Sequence, residues 1–261
     1  MRRPAALTTL RTAQAQFHGA VAVGSTVHEL SGFRVHIWPE PDVFYRNVAV
    51  PTDPTAAMPQ NIRSMLQVFT ASGREARLEF FEDLWPNLPA RLDAAGFLVE
   101  MRAPVLALGR PPSSVRTSRA RMLRAEDGHE VLQTYLQAAE AAFDVEGIAT
   151  EGECRRLMQS LSDGRTMTAM VEDEGRPVAG AALAGVGDVA EVAGVWSAPA
   201  YRGRGLARIA AAHLAKAFFA NGGKLLWLSA ATEESLPLYR NLGFDPIGTQ
   251  LNYHRPVGHG R

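Results

Sequence analysis

The chain has 261 residues, a length for one large domain or two of ordinary size. Hydrophobic residues make up 46% and charged residues 21%, an ordinary globular balance that can bury a sizeable core. Lys plus Arg and Asp plus Glu both number 27, so no net field points to nucleic acid or to an anionic membrane.

In chain order, residues 1 to about 20 are rich in alanine and threonine and suggest a short helix. From Gly32 to Val50, apolar Phe33, Val35 and Ile37 alternate with Arg34 and His36, which predicts strands. The three prolines of 51–59 mark a loop, and Ile62, Met65, Leu66 and Phe69 then fall at the spacing of an amphipathic helix. Leu78 to Phe81 is short and apolar, and 84–95 predicts a helix stopped by Gly96. Residues 97–108 read as a strand pair or one bent strand interrupted at Pro104. The run Gly109 to Ser118, with two prolines and small polar residues, is the best domain boundary, giving domains of about 1–112 and 113–261.

After that connector the pattern sharpens. A short strand at 121–123 leads to a helix over 127–142, with Val131, Leu132, Tyr135 and Leu136 on one face, and a second helix over 151–161. Three strands follow at 166–171, 177–186 and 189–197, joined by turns rich in Gly and Asp that suit tight hairpins. A helix from Gly205 to about Asn221, a buried strand over 224–230, a short helix ending at Gly243 and a last strand complete the reading. Pro237 places the start of that short helix no earlier than about Glu234, and Thr232 is a candidate cap for it.

The chemistry sits at Arg202-Gly203-Arg204-Gly205-Leu206-Ala207, between a strand and a helix. The first amides of a helix lack intrahelical partners and carry partial positive charge, so this order binds anions. Two glycines let backbone approach a ligand, and two arginines add charge-assisted contacts to phosphate. The segment lacks the third glycine of a dinucleotide fingerprint and the Gly-Lys-Ser/Thr of a P-loop. Taken alone, the glycine pair fits either a pyrophosphate site or an ordinary tight turn.

Residues 119–257 as a whole resemble the GNAT superfamily of N-acetyltransferases, whose signature Arg/Gln-x-x-Gly-x-Gly/Ala matches Arg202, Gly205 and Ala207. The family's second landmark, Leu-Tyr-x-x-x-Gly-Phe, matches Leu238 to Phe244 at the required distance of one helix and one strand. The resemblance implies an α/β (α+β) fold, a mixed and mostly antiparallel sheet flanked by helices. It implies acetyl-CoA as co-substrate, its pantetheine arm along the backbone of Val195, Trp196 and Ser197 in a splay between two strands. The pyrophosphate would rest on the turn from Gly203 to Ala207. A family asparagine that touches the cofactor is replaced here by Thr232. Tyr239 stands where the family places the proton donor for the departing thiolate, the alternative being a packing role. Glu191 stands where a base is often found, the alternative being a solvent-facing strand position. The acceptor is an amine of a small molecule or a peptide N-terminus, with Asp144 and Glu146 as candidate lining of its site, and a non-catalytic acyl-CoA-binding or sensing module is the competing function.

The N-terminal half has no glycine-rich phosphate turn, yet its helix, Gly96-Phe97 and strand echo Leu242-Gly243-Phe244. This suggests a degenerate second copy in tandem, with Leu92 or Arg91 in the place of Tyr239; an unrelated α/β accessory domain is the alternative. Such a copy would supply a wall of the acceptor site or a homodimer surface. Cys154 is the single cysteine, and no histidines show metal-ligand spacing, so neither a disulfide nor a metal is expected. With no run of 18 apolar residues and no apolar N-terminal core, a soluble cytoplasmic protein without membrane or nucleic-acid partners is expected.

Overall fold

The computed structural model describes residues 3–40, 46–113, 115–230 and 232–256. In chain order these form α1 (Arg3–Ala22), β1 (Thr26–Leu30), β2 (Phe33–Ile37), β3 (Val48–Pro51), α2 (Pro59–Ala71), β4 (Ala76–Phe81), α3 (Leu88–Ala94) and β5 (Leu98–Leu108). Then follow β6 (Ala120–Leu123), α4 (His129–Phe143), α5 (Glu151–Ser162), β7 (Thr166–Asp173), β8 (Arg176–Ala184), β9 (Val189–Ser197), α6 (Leu206–Ala220), β10 (Leu225–Ser229), α7 (Leu236–Leu242) and β11 (Asp245–Arg255). Contacts divide the chain into two compact units, residues 1–106, 229–233 and 246–261 in one and residues 107–228 and 234–245 in the other.

In the first unit the strand order is β1-β2-β3-β4-β11-β5. β1 and β2 form a hairpin from Leu30↔Phe33 to Thr26↔Ile37, turned by Ser31 and by Gly32 at a φ of +80° that favours glycine. β11 lies antiparallel against β4, from Gln250↔Phe81 to Arg255↔Ala76. Phe33, Val35, Met65, Phe69, Leu78, Phe80, Leu92 and Leu251 form the core, and α2 enters it through Ile62, Met65 and Phe69, as its spacing predicts. α1 is longer than the short helix expected, and within it the Thr8, Thr9 and Thr12 hydroxyls donate to carbonyls one turn earlier. β1 is absent from the sequence reading, and β5 is one strand that runs through Pro104.

The second unit has strand order β10-β9-β8-β7-β6. β6 to β9 pair antiparallel, and β9 with β10 is parallel. The β7–β8 hairpin turns on Glu174 and Gly175 at φ +48° and +74°, the left-handed pair that matches strand twist. α4 buries Leu132, Tyr135, Leu136 and Ala139, spaced at i, i+3, i+4 and i+7, in a cluster with Leu123, Cys154, Met170 and Trp196. α6 packs on β7 and β8 through Leu206, Ala210, Leu214 and Phe218, with small Ala211, Ala212 and Ala215 also buried. Each large aliphatic in these clusters contributes about 2 kcal/mol of transfer free energy. The mixed, mostly antiparallel sheet with flanking helices agrees with the expected fold class.

Candidate functional site

The site begins as an irregularity in β9. Leu183↔Val192 and Ala182↔Ala193 pair in register, and pairing resumes at Gly180↔Trp196 and Ala179↔Ser197. Two residues of β9, Gly194 and Val195, therefore oppose the single Ala181 of β8, a β-bulge with Gly194 at φ +56°. On the other side, the parallel ladder with β10 covers Val189, Ala190 and Glu191 against Leu225, Leu226 and Trp227. Residues 192–197 lie past the pairs of that ladder, in the stretch where the sequence predicts the splay. Trp196 is buried in the α4 and α5 core, which leaves only its backbone to face a ligand in the splay. Glu191 is half-buried, the last β9 residue in the β10 ladder and paired with Ala184 on β8.

β9 then runs through a tight 3₁₀ turn, Pro199–Tyr201, into the segment 202–205. Gly203 and Gly205 have φ of +76° and +73°, and a Cβ at Gly203 would meet nothing within 4 Å, so conformation rather than space requires glycine. Gly205 is the N-cap of α6 and offers no side-chain cap. The first helical bond runs from Ile209 N to Gly205 O, which leaves the amides of Leu206, Ala207 and Arg208 without intrahelical acceptors. Arg202 is exposed, and its Nη2 donates to Ala142 O at 2.8 Å near the end of α4. Arg204 stacks over the Tyr201 ring at 4.9 Å, and the Tyr201 hydroxyl donates to Asp173 Oδ2 at 2.8 Å. That acceptor raises the Tyr201 pKa. Sequence reasoning missed Arg208, whose Nε is buried with no partner among the described residues. The signal was its position two residues past Leu206, still inside the first turn of α6.

Tyr239 is buried on α7, its ring edge-on to Phe244 at 5.9 Å. Burial pushes its phenol up to about 12, so it holds its proton throughout the neutral range. Gly243 at φ +94° ends the helix, and Phe244 N bonds back to Tyr239 O. Ser235, not Thr232, occupies the N-cap of α7: a 3₁₀ turn at Glu233–Ser235 intervenes, and Thr232 is an exposed residue of the first unit. Asp144 and Glu146 line an open cleft of about 600 Å³ with Glu140, Val145 and Thr150 in the α4–α5 loop. His213, on α6, is half-buried and its pKa is lowered by desolvation. Among the described residues no group of three or more His, Cys, Asp or Glu could hold a metal ion, and no helix is long and apolar enough to cross a membrane.

The first unit repeats the order strand, turn, helix, strand, short helix, strand in β3, α2, β4, α3 and β5. Its turn differs: Asp53 caps a 3₁₀ turn at Pro54–Ala57 by accepting from Thr55 N, and Pro59 opens α2. No glycine relaxes this turn, and a carboxylate occupies its cap.

Residues 129–244 match the model of the acetyltransferase (GNAT) family. Among curated proteins, none matches the sequence. Among solved structures, a GCN5-related N-acetyltransferase from Kribbella flavida superposes with a TM-score of 0.75 at 24% identity, covering 96% of each chain. A putative GNAT-family acetyltransferase from Novosphingobium aromaticivorans gives 0.56 at 21% identity, over 91% of this chain and 96% of its own. A tandem GNAT protein of the clavulanic acid biosynthesis pathway gives 0.61 at 12% identity, over 89% and 80%. Bulged strand, glycine turn and tyrosine-bearing short helix all lie inside the matched segment, so it is residues 129–244 that carry the GNAT acetyltransferase domain.

Proposed function

We propose that the protein is an acyl-CoA-dependent N-acyltransferase of the cytoplasm that moves an acetyl group from acetyl-CoA to a primary amine, of a small molecule or a peptide N-terminus, by direct attack through a tetrahedral intermediate. The observation that carries the reading is the coupling of an uncapped α6 N-terminus, with two left-handed glycines, to the bulged end of β9. The fit to a pyrophosphate is supported by the buried, unpartnered Nε of Arg208 and by the side-chain-free cap at Gly205. Acetyl-CoA supplies the activated thioester. The backbone from Gly203 to Ala207 with Arg202 and Arg204 holds the diphosphate, and Val195 to Ser197 offer backbone to the pantetheine arm. The Val195 amide polarises the reacting carbonyl. Tyr239, neutral because buried, returns a proton to sulfur, and Glu191 takes one from the incoming ammonium directly or through water.

The first unit we read as a second, non-catalytic GNAT-like copy. Its element order and the tandem protein among the structural neighbours support this, while its proline-bearing turn and Leu92 or Arg91 in place of a tyrosine remove the chemistry. The packing of Tyr239 on Phe244 favours one other reading, an acyl-CoA-binding module without turnover. Titration calorimetry with acetyl-CoA, followed by an amine panel under thiol release, separates the three outcomes. Micromolar binding with turnover supports the enzyme, binding without turnover the module, and absence of binding refutes both.

A further inference from the structure

Tyr135, on α4, has no part in the proposed chemistry, yet it is buried and bonded to a residue of β9 next to the bulge. Its hydroxyl accepts from the Trp196 indole N–H at 3.3 Å, and the two rings stand 5.4 Å apart at 57°. Both are almost wholly buried. They sit over Gly180, where a Cβ would come within 2.6 Å of both Trp196 Nε1 and the Tyr135 hydroxyl. Gly180 is also the β8 residue paired with Trp196, and that pair is the first one after the bulge at Gly194 and Val195.

A bulge is a choice of register, and a slip of one residue sends each following side chain to the opposite face. Something must hold the strand where the extra residue ends. Upstream the hold is the three-pair ladder of Glu191 and its neighbours with β10. Downstream, the side chain gripped on both sides is Trp196. We propose that Tyr135 is a positioning residue: through Trp196, and with Gly180 leaving the room, it fixes the register of β9 just past the bulge and so aims the amide of Val195. This rests on the acyltransferase reading for its catalytic consequence, and on the ladder alone for its structural one.

The test uses the full chain with Tyr135→Phe, which keeps the ring and removes the hydroxyl, Trp196→Phe, and the double variant. Amide resonances of Gly194 and Val195 are read in the ligand-free protein, and steady-state kinetics with acetyl-CoA are read beside them. Each single variant is expected to move both resonances and to lower kcat roughly tenfold, since a misaimed donor keeps part of its effect. In Tyr135→Phe, KM for acetyl-CoA stays within about twofold, and the double variant loses no more kcat than the worse single one. A role in packing alone would lower the melting temperature without this split. Resonances of Gly194 and Val195 that stay in place in Tyr135→Phe overturn the proposal, as does a kcat that stays in place while they move. If the wild type turns over no acetyl-CoA, the acyltransferase reading fails, and the resonances still decide whether Tyr135 sets the register.

Discussion

Replacing Gly205 by alanine isolates the conformational demand of the turn proposed to hold the diphosphate. A Cβ there has room, its nearest neighbour being Arg208 Nη2 at 3.8 Å, but the backbone sits at φ +73°, where an L side chain is strained by about 1–2 kcal/mol. That strain has two outlets. If the turn keeps its shape, the cost falls on folding and the melting temperature drops by about 2–8 °C for a domain of this size. If the turn relaxes, the amides of Leu206 and Ala207 lose their aim, and recovering it on binding weakens acetyl-CoA by roughly 5–30-fold. Arg202, Gly203 and Arg204 are exposed, so relaxation is cheap and the second outlet is expected to dominate. Calorimetric titration with acetyl-CoA alongside thermal unfolding reads both, and Gly203→Ala, at φ +76°, should behave alike. A Gly205→Ala protein with unchanged melting temperature and affinity within twofold of wild type would refute the reasoning.

Tyr239→Phe is expected to lower kcat roughly a hundredfold while leaving acetyl-CoA affinity within twofold. Because burial raises the phenol to about 12, the wild-type pH–rate profile should show no loss from this group below about pH 11. In the first unit, desolvation chiefly, with Arg34 adding to it, lowers both His18 and His36 to about 4, and His36 is fully buried with Nδ1 on Ser25 and Nε2 without a partner among the described residues. A depressed histidine stabilises above its unfolded value of about 6.5 and loses that stability as pH falls through the folded value. His36 alone is worth up to about 3 kcal/mol over that window. Urea unfolding at pH 7.5 and 4.5 should show the loss, and His36→Gln should flatten it; equal slopes in both proteins would contradict the account. Gly19 lies within α1 with nothing near its added Cβ, so Gly19→Ala should raise stability by about 0.5–1 kcal/mol in thermal unfolding.

How much of this was legible depended on whether a feature is local. β9 was read to the residue, because apolar alternation and bounding turns are written into 187–199. α6 was placed within a residue for the same reason, its stop being Gly222-Gly223. β1 escaped because its five residues are half-exposed and carry no apolar face. The bulge is a property of two strands together, so the sequence could supply Gly194 but not the register shift. Tyr135 was visible as a core position of α4, whereas its bond to Trp196 depends on a strand 61 residues away in the chain. Nothing in the sequence sets Arg208 apart from the chain's other arginines, and its buried Nε, without a partner among the described residues, marks it out.

The pairing of β11 with β4 sets an order on synthesis. β4 is complete once residue 81 is made, but the strand that covers its edge ends at Arg255. At the usual pace of translation, roughly 10–30 seconds separate the two. Through that interval the nascent chain carries Leu78 and Phe80 on a strand with one unsatisfied backbone edge, a ready template for a neighbouring polypeptide. The sheet of the first unit is therefore completed only after every strand of the second, β6 to β10, has been made.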